Sequence, residues 1–442
     1  MEALRAVLEF IQKFMQEPSL FLGLIALLGF LLLRERVERT ISGTLKTAIG
    51  LLILLAGVNL MVQALLPLGE LAGKTLGLPP VQIQIGTQKI ISELGIQIGL
   101  VMLFAFLINV LLTRFLGGLG FKYIYLTGHL IFWNAVIFVS AFRYILGLEG
   151  AALVIVASLF TGLYQTIQPW YTHRFDLFVN EGSGFVLGHS SSLTVLATAW
   201  LSRLLSGGGK RRVGDMEALR FPRALEWLRE PMLLMAATFL VVYLIMAALN
   251  VSFVVEAAGK AGKHPIIWVL LQALNFAAGF AILIMGVRMI IAELIPSFKG
   301  IAERIVPGAI PALDCPLFFP YGQVSMAYGG LIGMLTMVLV SLLFAAGRYP
   351  FFIFAPTMSV WFHGATAGVY GNKYWGIPGA INWGIPGAIM GGVVAGVLMG
   401  VGQALMWPVL GFAIGDFFSW ASDTDYVLWP LLIALIGRIL GR

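Results

Sequence analysis

Residues 377–412 contain no Lys, Arg, Asp or Glu, and residues 331–344 are equally free of charge. Hydrocarbon offers a backbone nothing to hydrogen-bond with. Such stretches persist only as membrane-spanning helices or as irregular backbone shielded by them. The whole chain agrees, being 59% hydrophobic and 11% charged, where a soluble domain is about 25% charged. Hydropathy marks spans near 19–33, 41–66, 92–116, 123–145, 150–168, 232–250, 264–294, 326–347, 349–371, 379–410 and 427–440. The expected fold class is an all-α polytopic membrane protein of about eleven transmembrane helices, with re-entrant segments between some of them.

The formal charge of +7 does not point to nucleic acid, and no nucleic-acid partner is expected. In a protein of this class, surplus Lys and Arg gather in cytoplasmic loops facing anionic lipid. The single cysteine, Cys315, rules out an internal disulfide and any multi-cysteine metal site, and no cofactor is expected. No cleavable leader is visible. In residues 1–18, Leu4, Val7, Leu8, Ile11, Phe14 and Met15 recur at helical spacing among charges. That pattern fits an amphipathic helix in the membrane interface, or equally one docked on its own protein.

Arg34, Arg36 and Arg39 mark one cytoplasmic loop, and the polar stretch 207–230 marks another. The second begins with three glycines at 207–209, read as a hinge, and 216–229 reads as a short amphipathic surface helix. It divides the chain into an N-terminal half, 1–206, and a C-terminal half, 231–442. The halves resemble each other. Residues 50–67 (GLLILLAGVNLMVQALLP) and 279–296 (GFAILIMGVRMIIAELIP) share Gly50/Gly279, Leu54/Leu283, Gly57/Gly286 and Pro67/Pro296 at one constant shift. The same shift sets Asn134 against His363. Shared composition explains some of this, but an unchanged shift over so long a stretch favours duplication. Basic residues lie mainly before the first unit and after the second, which suggests opposite orientations. Two inverted repeats with Gly/Pro-broken segments at mid-depth are a transporter architecture.

Four segments are too broken for simple helices: 80–88, 126–134, 182–194 and 307–320. Each combines helix breakers with imidazole, hydroxyl, carboxamide or carboxylate groups. Freed backbone groups and buried side chains of this kind suit a small polar solute crossing the bilayer. Asp314 lies between Pro311 and Pro316, and a carboxylate at mid-membrane costs about 2.5–3.5 kcal/mol on insertion scales. It therefore has a partner or a task, capping a half-helix being one. His129 and His189 each follow a glycine. Either packs as an ordinary buried histidine or contacts a ligand, and two histidines alone make no metal site. Ser190, Ser191, Ser192 and Thr194 can bond a hydroxylated solute or their own backbone. Trp133 stacks on a ring or anchors at the interface. Arg288 and Glu293 are read as structural charges, and His173 and Arg174 are placed in a loop without a role.

At these segments the chain resembles the membrane-embedded IIC component of the L-ascorbate-specific phosphotransferase system. The resemblance is carried by LTGH at 126–129, GFVLGH at 184–189, GVRM-xx-AEL at 286–294, GIAERIVPGAIPALDC at 300–315 and KTAIGLLILLAG at 46–57. It implies a homodimer in the bacterial inner membrane, each protomer with a dimerising scaffold and a core that carries solute by an elevator-like displacement. It also implies a separate cytosolic IIB protein, itself phosphorylated, that phosphorylates the incoming sugar; no catalytic residue is expected in this chain. The resemblance places Asp314, His129 and His189 in the solute pocket, with Thr87 and neighbouring Gln88 from an early re-entrant segment. Where the family pattern has glutamines, this chain has Trp133 and Asn134 after the first histidine and Ser190, Ser191 and Ser192 around the second. Such exchanges alter donor count and pocket volume, and so selectivity. The leading expectation is a phosphotransferase-type carrier for ascorbate or a related polar ring compound. The alternative is a secondary, proton-coupled or facilitated transporter on the same scaffold.

Overall fold

The computed structural model describes residues 17–75, 83–206, 212–218, 223–347, 357–375, 386–406 and 423–439, with a few isolated positions besides. Most of the N-terminal amphipathic segment and the 207–209 hinge lie outside the described residues. Seven described helices are long and apolar enough to cross a membrane. Shorter apolar helices occupy Pro18–Leu32, here α1, and Ser192–Leu205. The chain is a multi-pass, predominantly helical membrane protein.

Its longest helices, α2 (Val37–Thr75) and α9 (Pro265–Arg304), run 39 and 40 residues. At 1.5 Å rise each is about 60 Å long, twice the hydrocarbon thickness of about 30 Å, so each tilts or projects beyond it. The two lie antiparallel in close contact. Gly57 meets Gly279 and Leu283, while Gly50 meets Met289 and Ile290 and its carbonyl faces Gly286. Without side chains at these points the backbones come together, which is how helices gain packing energy in lipid. A Cβ on Gly57 or Gly286 would collide with the opposite backbone. The two apolar runs that match at a constant shift thus pack against each other, with contacts 50/286 and 57/279 exchanged. Glu293 of α9 accepts from Arg39 and lies 3.7 Å from Lys46, so this carboxylate is a structural charge between the same two helices.

The other helices are α3 (Ile83–Leu116), α4 (Gly128–Tyr144), α5 (Gly150–Val179), α6 (Ser192–Leu205), α7 (Pro231–Leu249), α8 (Val251–Lys260), α10 (Gln323–Ala346), α11 (Thr357–Tyr374), α12 (Gly387–Met406) and α13 (Asp425–Ile439). Among them sits a small parallel sheet that the hydropathy pattern does not announce. Strands β1 (Tyr123–Tyr125), β4 (Ile310–Leu313) and β2 (Val186–Leu187) lie side by side in that order. The middle strand comes from the second half of the chain and both outer ones from the first. Sheet edges buried among apolar helices need partners, and side chains supply them. Asn109 and Thr113 of α3 bond the backbone of Tyr123 and Tyr125. Gln168 and Asp176 of α5 bond that of Leu187.

Several expectations are corrected. The span at 123–145 begins as strand β1, and its helix starts only at Gly128. Helix α5 does not stop at 168 but runs through Pro169 to Val179, carrying His173 and Arg174 with it. One proline removes a single hydrogen bond, and packing on both sides outweighs that loss. The broken segment at 80–88 is helical from Ile83 onward. The surface helix at 216–229 is two 3-10 turns, Met216–Ala218 and Arg223–Arg229, preceded by strand β3 (Arg212–Gly214), which pairs with β5 (Ile377–Pro378). Glu217 is instead spent on the first amides of α10, bonding Val324 and Ser325 at 2.9 and 2.8 Å.

Candidate functional site

Three parallel strands end together, and the residues just past their ends make the site. After β1 come Leu126, Thr127, Gly128 and His129; after β2, Gly188 and His189; after β4, Asp314. The ladder continues one step beyond the strands, with Leu126 N–H donating to Ala312 O at 2.9 Å and Gly188 N–H to Leu313 O at 2.7 Å. The Thr127 hydroxyl donates to the Gly188 carbonyl at 2.6 Å. Helices α4 and α6 start three and five residues after β1 and β2 end. Open parallel sheets bind ligands beyond their carboxyl ends, where helix N-termini converge. The same geometry arises here inside a membrane protein.

Asp314 is the centre. It caps the 3-10 turn Cys315–Tyr321, accepting from Cys315 N–H at 2.7 Å. Its two oxygens face two imidazoles: Oδ2 lies 3.7 Å from His129 Nδ1, and Oδ1 lies 3.6 Å from His189 Nε2. The His129 side chain is 39% exposed and that of His189 only 8%. His189 Nδ1 accepts from Ser191 N–H at 3.0 Å, so a neutral ring carries its hydrogen on Nε2, the side facing Asp314. Its backbone N–H is held by Gln168. The three side chains present polar atoms within 4.8 Å of one another. The carboxylate faces each ring with a different oxygen, just beyond hydrogen-bonding range. That is a donor–acceptor cluster, suited to hydroxyl groups.

His129 and Asp314 border a cleft whose opposite wall is Leu22 of α1, Leu51, Leu54 and Leu55 of α2, and Ile290 of α9. One wall is sheet-borne and carries the polar groups beside Leu126, Leu313 and Leu317; the other is aliphatic and helix-borne. The free volume is about 30 Å³, far below the 300 Å³ or more of a typical small-molecule pocket. A sugar-sized solute enters only if the walls part.

The remaining sequence candidates fall in different places. The Ser190 hydroxyl is committed to Asp423 and that of Ser192 to Asp425, while Ser191 Oγ is buried with no hydrogen-bond partner among the described residues. Asn134 is fully buried; its oxygen accepts from Tyr426 OH at 2.9 Å and its amide nitrogen has no partner among the described residues. Trp133 is half-buried, edge-on to Phe132 at 5.4 Å. Thr87 and Gln88 belong to helix α3, but their side chains lie outside the described residues. Cys315 is buried.

Sequence reasoning passed over a carboxylate pair. Asp423 and Asp425 sit where α13 begins and reach across to the strand-exit loop of the first half. Asp425 accepts from Tyr164 OH at 2.8 Å and Leu193 N–H at 3.0 Å as well as from Ser192. Asp423 accepts from Ser359 at 2.5 Å and from Ser190, and lies 3.8 Å from His363 of α11. The signal was present as two acids at the head of an apolar run, but it reads equally as a polar helix start.

A family described as the sugar-specific permease component of the phosphotransferase system matches residues 13–425. The chain is also similar to the "Ascorbate-specific PTS system EIIC component" of Mycoplasma pneumoniae, with 23% identity over 427 residues. That alignment covers 84% of this chain and 63% of the relative, so the chain spans somewhat less than two thirds of the relative's length.

Proposed function

The chain belongs to the phosphotransferase-system sugar-specific permease components, and from that premise we propose that it carries L-ascorbate or a closely related polar ring compound across the bacterial inner membrane. The observation that carries the reading is the meeting of His129, His189 and Asp314 at three strand ends, beside a cleft with an aliphatic far wall. Enediol and ring hydroxyls are donors and acceptors at once. They fit between a carboxylate and imidazole N–H groups. The aliphatic wall covers the carbon skeleton.

Transport follows by relative movement of the two walls. The strand-end site, tied by backbone ladders and side-chain bonds, travels as one body past the α2–α9 pair, and the cleft opens first to one side and then to the other. The protein works as a homodimer joined through the stationary helices, with Thr87 adding a hydroxyl to the pocket. Two inverted repeats, before and after residues 207–230, supply the symmetry for two such end states. The exchanged glycine contacts of α2 and α9, 50/286 and 57/279, support this, because a two-fold relation produces that reciprocity. A cytosolic phosphorylated IIB protein phosphorylates the solute on arrival. Cys315, the one cysteine of this sequence, is buried beside Asp314 and does not serve as the phosphoryl carrier.

The test is uptake of labelled L-ascorbate into vesicles containing the full-length protein, with and without phosphorylated IIB. Accumulation of phosphorylated product only when IIB is present is expected. Accumulation of unmodified solute driven by a pH gradient alone overturns the reading in favour of a secondary transporter.

A further inference from the structure

A second imidazole packs against His189. His363 of α11 is completely buried, its ring centroid 5.7 Å from that of His189 at an angle of 70°. His363 Nδ1 lies 2.9 Å from the Ser359 carbonyl oxygen. A carbonyl only accepts, so Nδ1 carries the hydrogen, and Nε2 of the neutral ring is a bare lone pair. That Nε2 is buried without a hydrogen-bond partner among the described residues. The nearest carboxylate oxygen, Asp423 Oδ1, is 3.8 Å away. An ionised carboxylate also only accepts, and the Ser190 and Ser359 hydroxyls already donate to its two oxygens. Two lone pairs facing each other in a buried place are costly, and one proton between them removes the conflict.

We propose that His363 and Asp423 hold one proton in common, forming a buried, charge-neutral acid–imidazole unit directly behind the solute site. The unit lies in a line that runs Asp314, His189, His363, Asp423. When its proton leaves, one negative charge is added behind His189, and an anionic solute at Asp314 is repelled. Proton and anion therefore strengthen each other's binding, whereas a neutral polyol is indifferent to the proton. The other titratable groups around the unit are His189 from the β2–α6 loop, Tyr125 from β1, Asp425 and Tyr426 from α13, and Cys315, which meets Thr366 one turn along α11. Asp314 and His129 lie on the far side of His189, Asp314 3.6 Å from its Nε2. Helix α5 adds Tyr164 and Tyr171 around Asp425, and α10 and α12 carry no charged residue.

The proton itself is independent of what the solute is; its effect on binding rests on the carrier reading above. Solid-state NMR of the isotope-labelled full-length protein in lipid decides the first point, with the His363 ring assigned through Phe362 and Gly364. At pH 7 the Nε2 signal is expected to show either a bonded hydrogen or a hydrogen bond received from the Asp423 carboxyl. A bare Nε2 beside an ionised Asp423 overturns the proposal. For the second point, L-ascorbate is the probe. His363→Gln leaves Asp423 charged and should weaken binding about tenfold. Adding Asp423→Asn restores neutrality and should bring affinity back to within about threefold of the starting protein. Equal losses in the single and double variants refute the electrostatic link. Absence of any L-ascorbate binding in the unmutated protein counts against the carrier reading alone, and the NMR result still stands.

Discussion

The two walls of the cleft are opposites. On the α2–α9 side the lining is leucines and an isoleucine; on the strand-end side Thr127, His129 and Asp314 bring polar groups in among Leu126, Leu313 and Leu317. Aliphatic surfaces hold by dispersion, which has no preferred register, so one can slide past another without breaking a directional bond. The strand-end wall cannot deform in that way. It is held by ladder bonds, by Gln168 and Asp176 on one edge, and by Asn109 and Thr113 on the other. In the proposed carrier the first wall permits movement and the second keeps its grip during it.

The sharpest way to break this contrast is to give the smooth pair a side chain at its tightest point. Gly57→Leu collides with the α9 backbone and should destabilise the fold by about 1–3 kcal/mol, lowering the thermal unfolding temperature and the yield of monodisperse protein. A Gly57→Leu variant of unchanged stability would show that α2 and α9 are not in that contact. On the polar wall the largest change is Asp314→Asn. Asparagine still caps the 3-10 turn, so the fold should survive. Solute binding measured by calorimetry should fall by more than about tenfold, near 1.4 kcal/mol. Next comes a paired comparison within the histidines. His189→Ala should reduce uptake about fivefold. His173→Ala should change it by less than about twofold, because the His173 ring is spent on the Trp170 carbonyl at 2.6 Å. Equal effects would dissolve the distinction between the strand-end site and the rest of α5.

The smallest effect belongs at the rim. Lys373 bonds Glu181 at 2.7 Å, and this hydrogen bond and charge hold the Glu181 carboxyl below its ordinary range. A lowered carboxyl contributes above its unfolded-state pKa and loses that contribution as pH falls through the folded value. The pair is therefore intact at neutral pH and fades only in acid. Glu181→Gln should leave uptake at pH 7 unaltered, since exposed ion pairs contribute little. A marked loss in that assay would extend the polar wall to the surface.

The difference between the walls also explains what could be read from residues alone. Apolar runs announce themselves by composition, so α2, α9, α10 and α12 stand close to where hydropathy puts them. The broken character of 307–320 is equally legible, because Pro307, Pro311 and Pro316 exclude a continuous helix. The strands within these segments are another matter. Tyr123–Tyr125 and Val186–Leu187 are too short and too apolar to differ from helix starts until a partner is known. Helix α5 passes Pro169 for the same reason: its continuation depends on neighbours such as Tyr370, which bonds Asp176 at 2.6 Å. Asp423 does not stand out in the sequence because its partners, Ser190, Ser359 and His363, lie far from it in the chain.

By itself, then, the order of residues determined that this protein lives in a membrane, roughly where it crosses, and that Asp314 is costly there and has a partner or a task, while His129 and His189 stay open between packing and a ligand. Those conclusions follow from the local exclusion of charge and of free backbone groups by hydrocarbon. Only the tertiary structure decided that the three meet at the ends of one parallel sheet, that an aliphatic wall faces them, and that His363 and Asp423 stand behind. Pairing between distant strands and helices is set by which surfaces satisfy one another, and no local stretch of sequence contains that information.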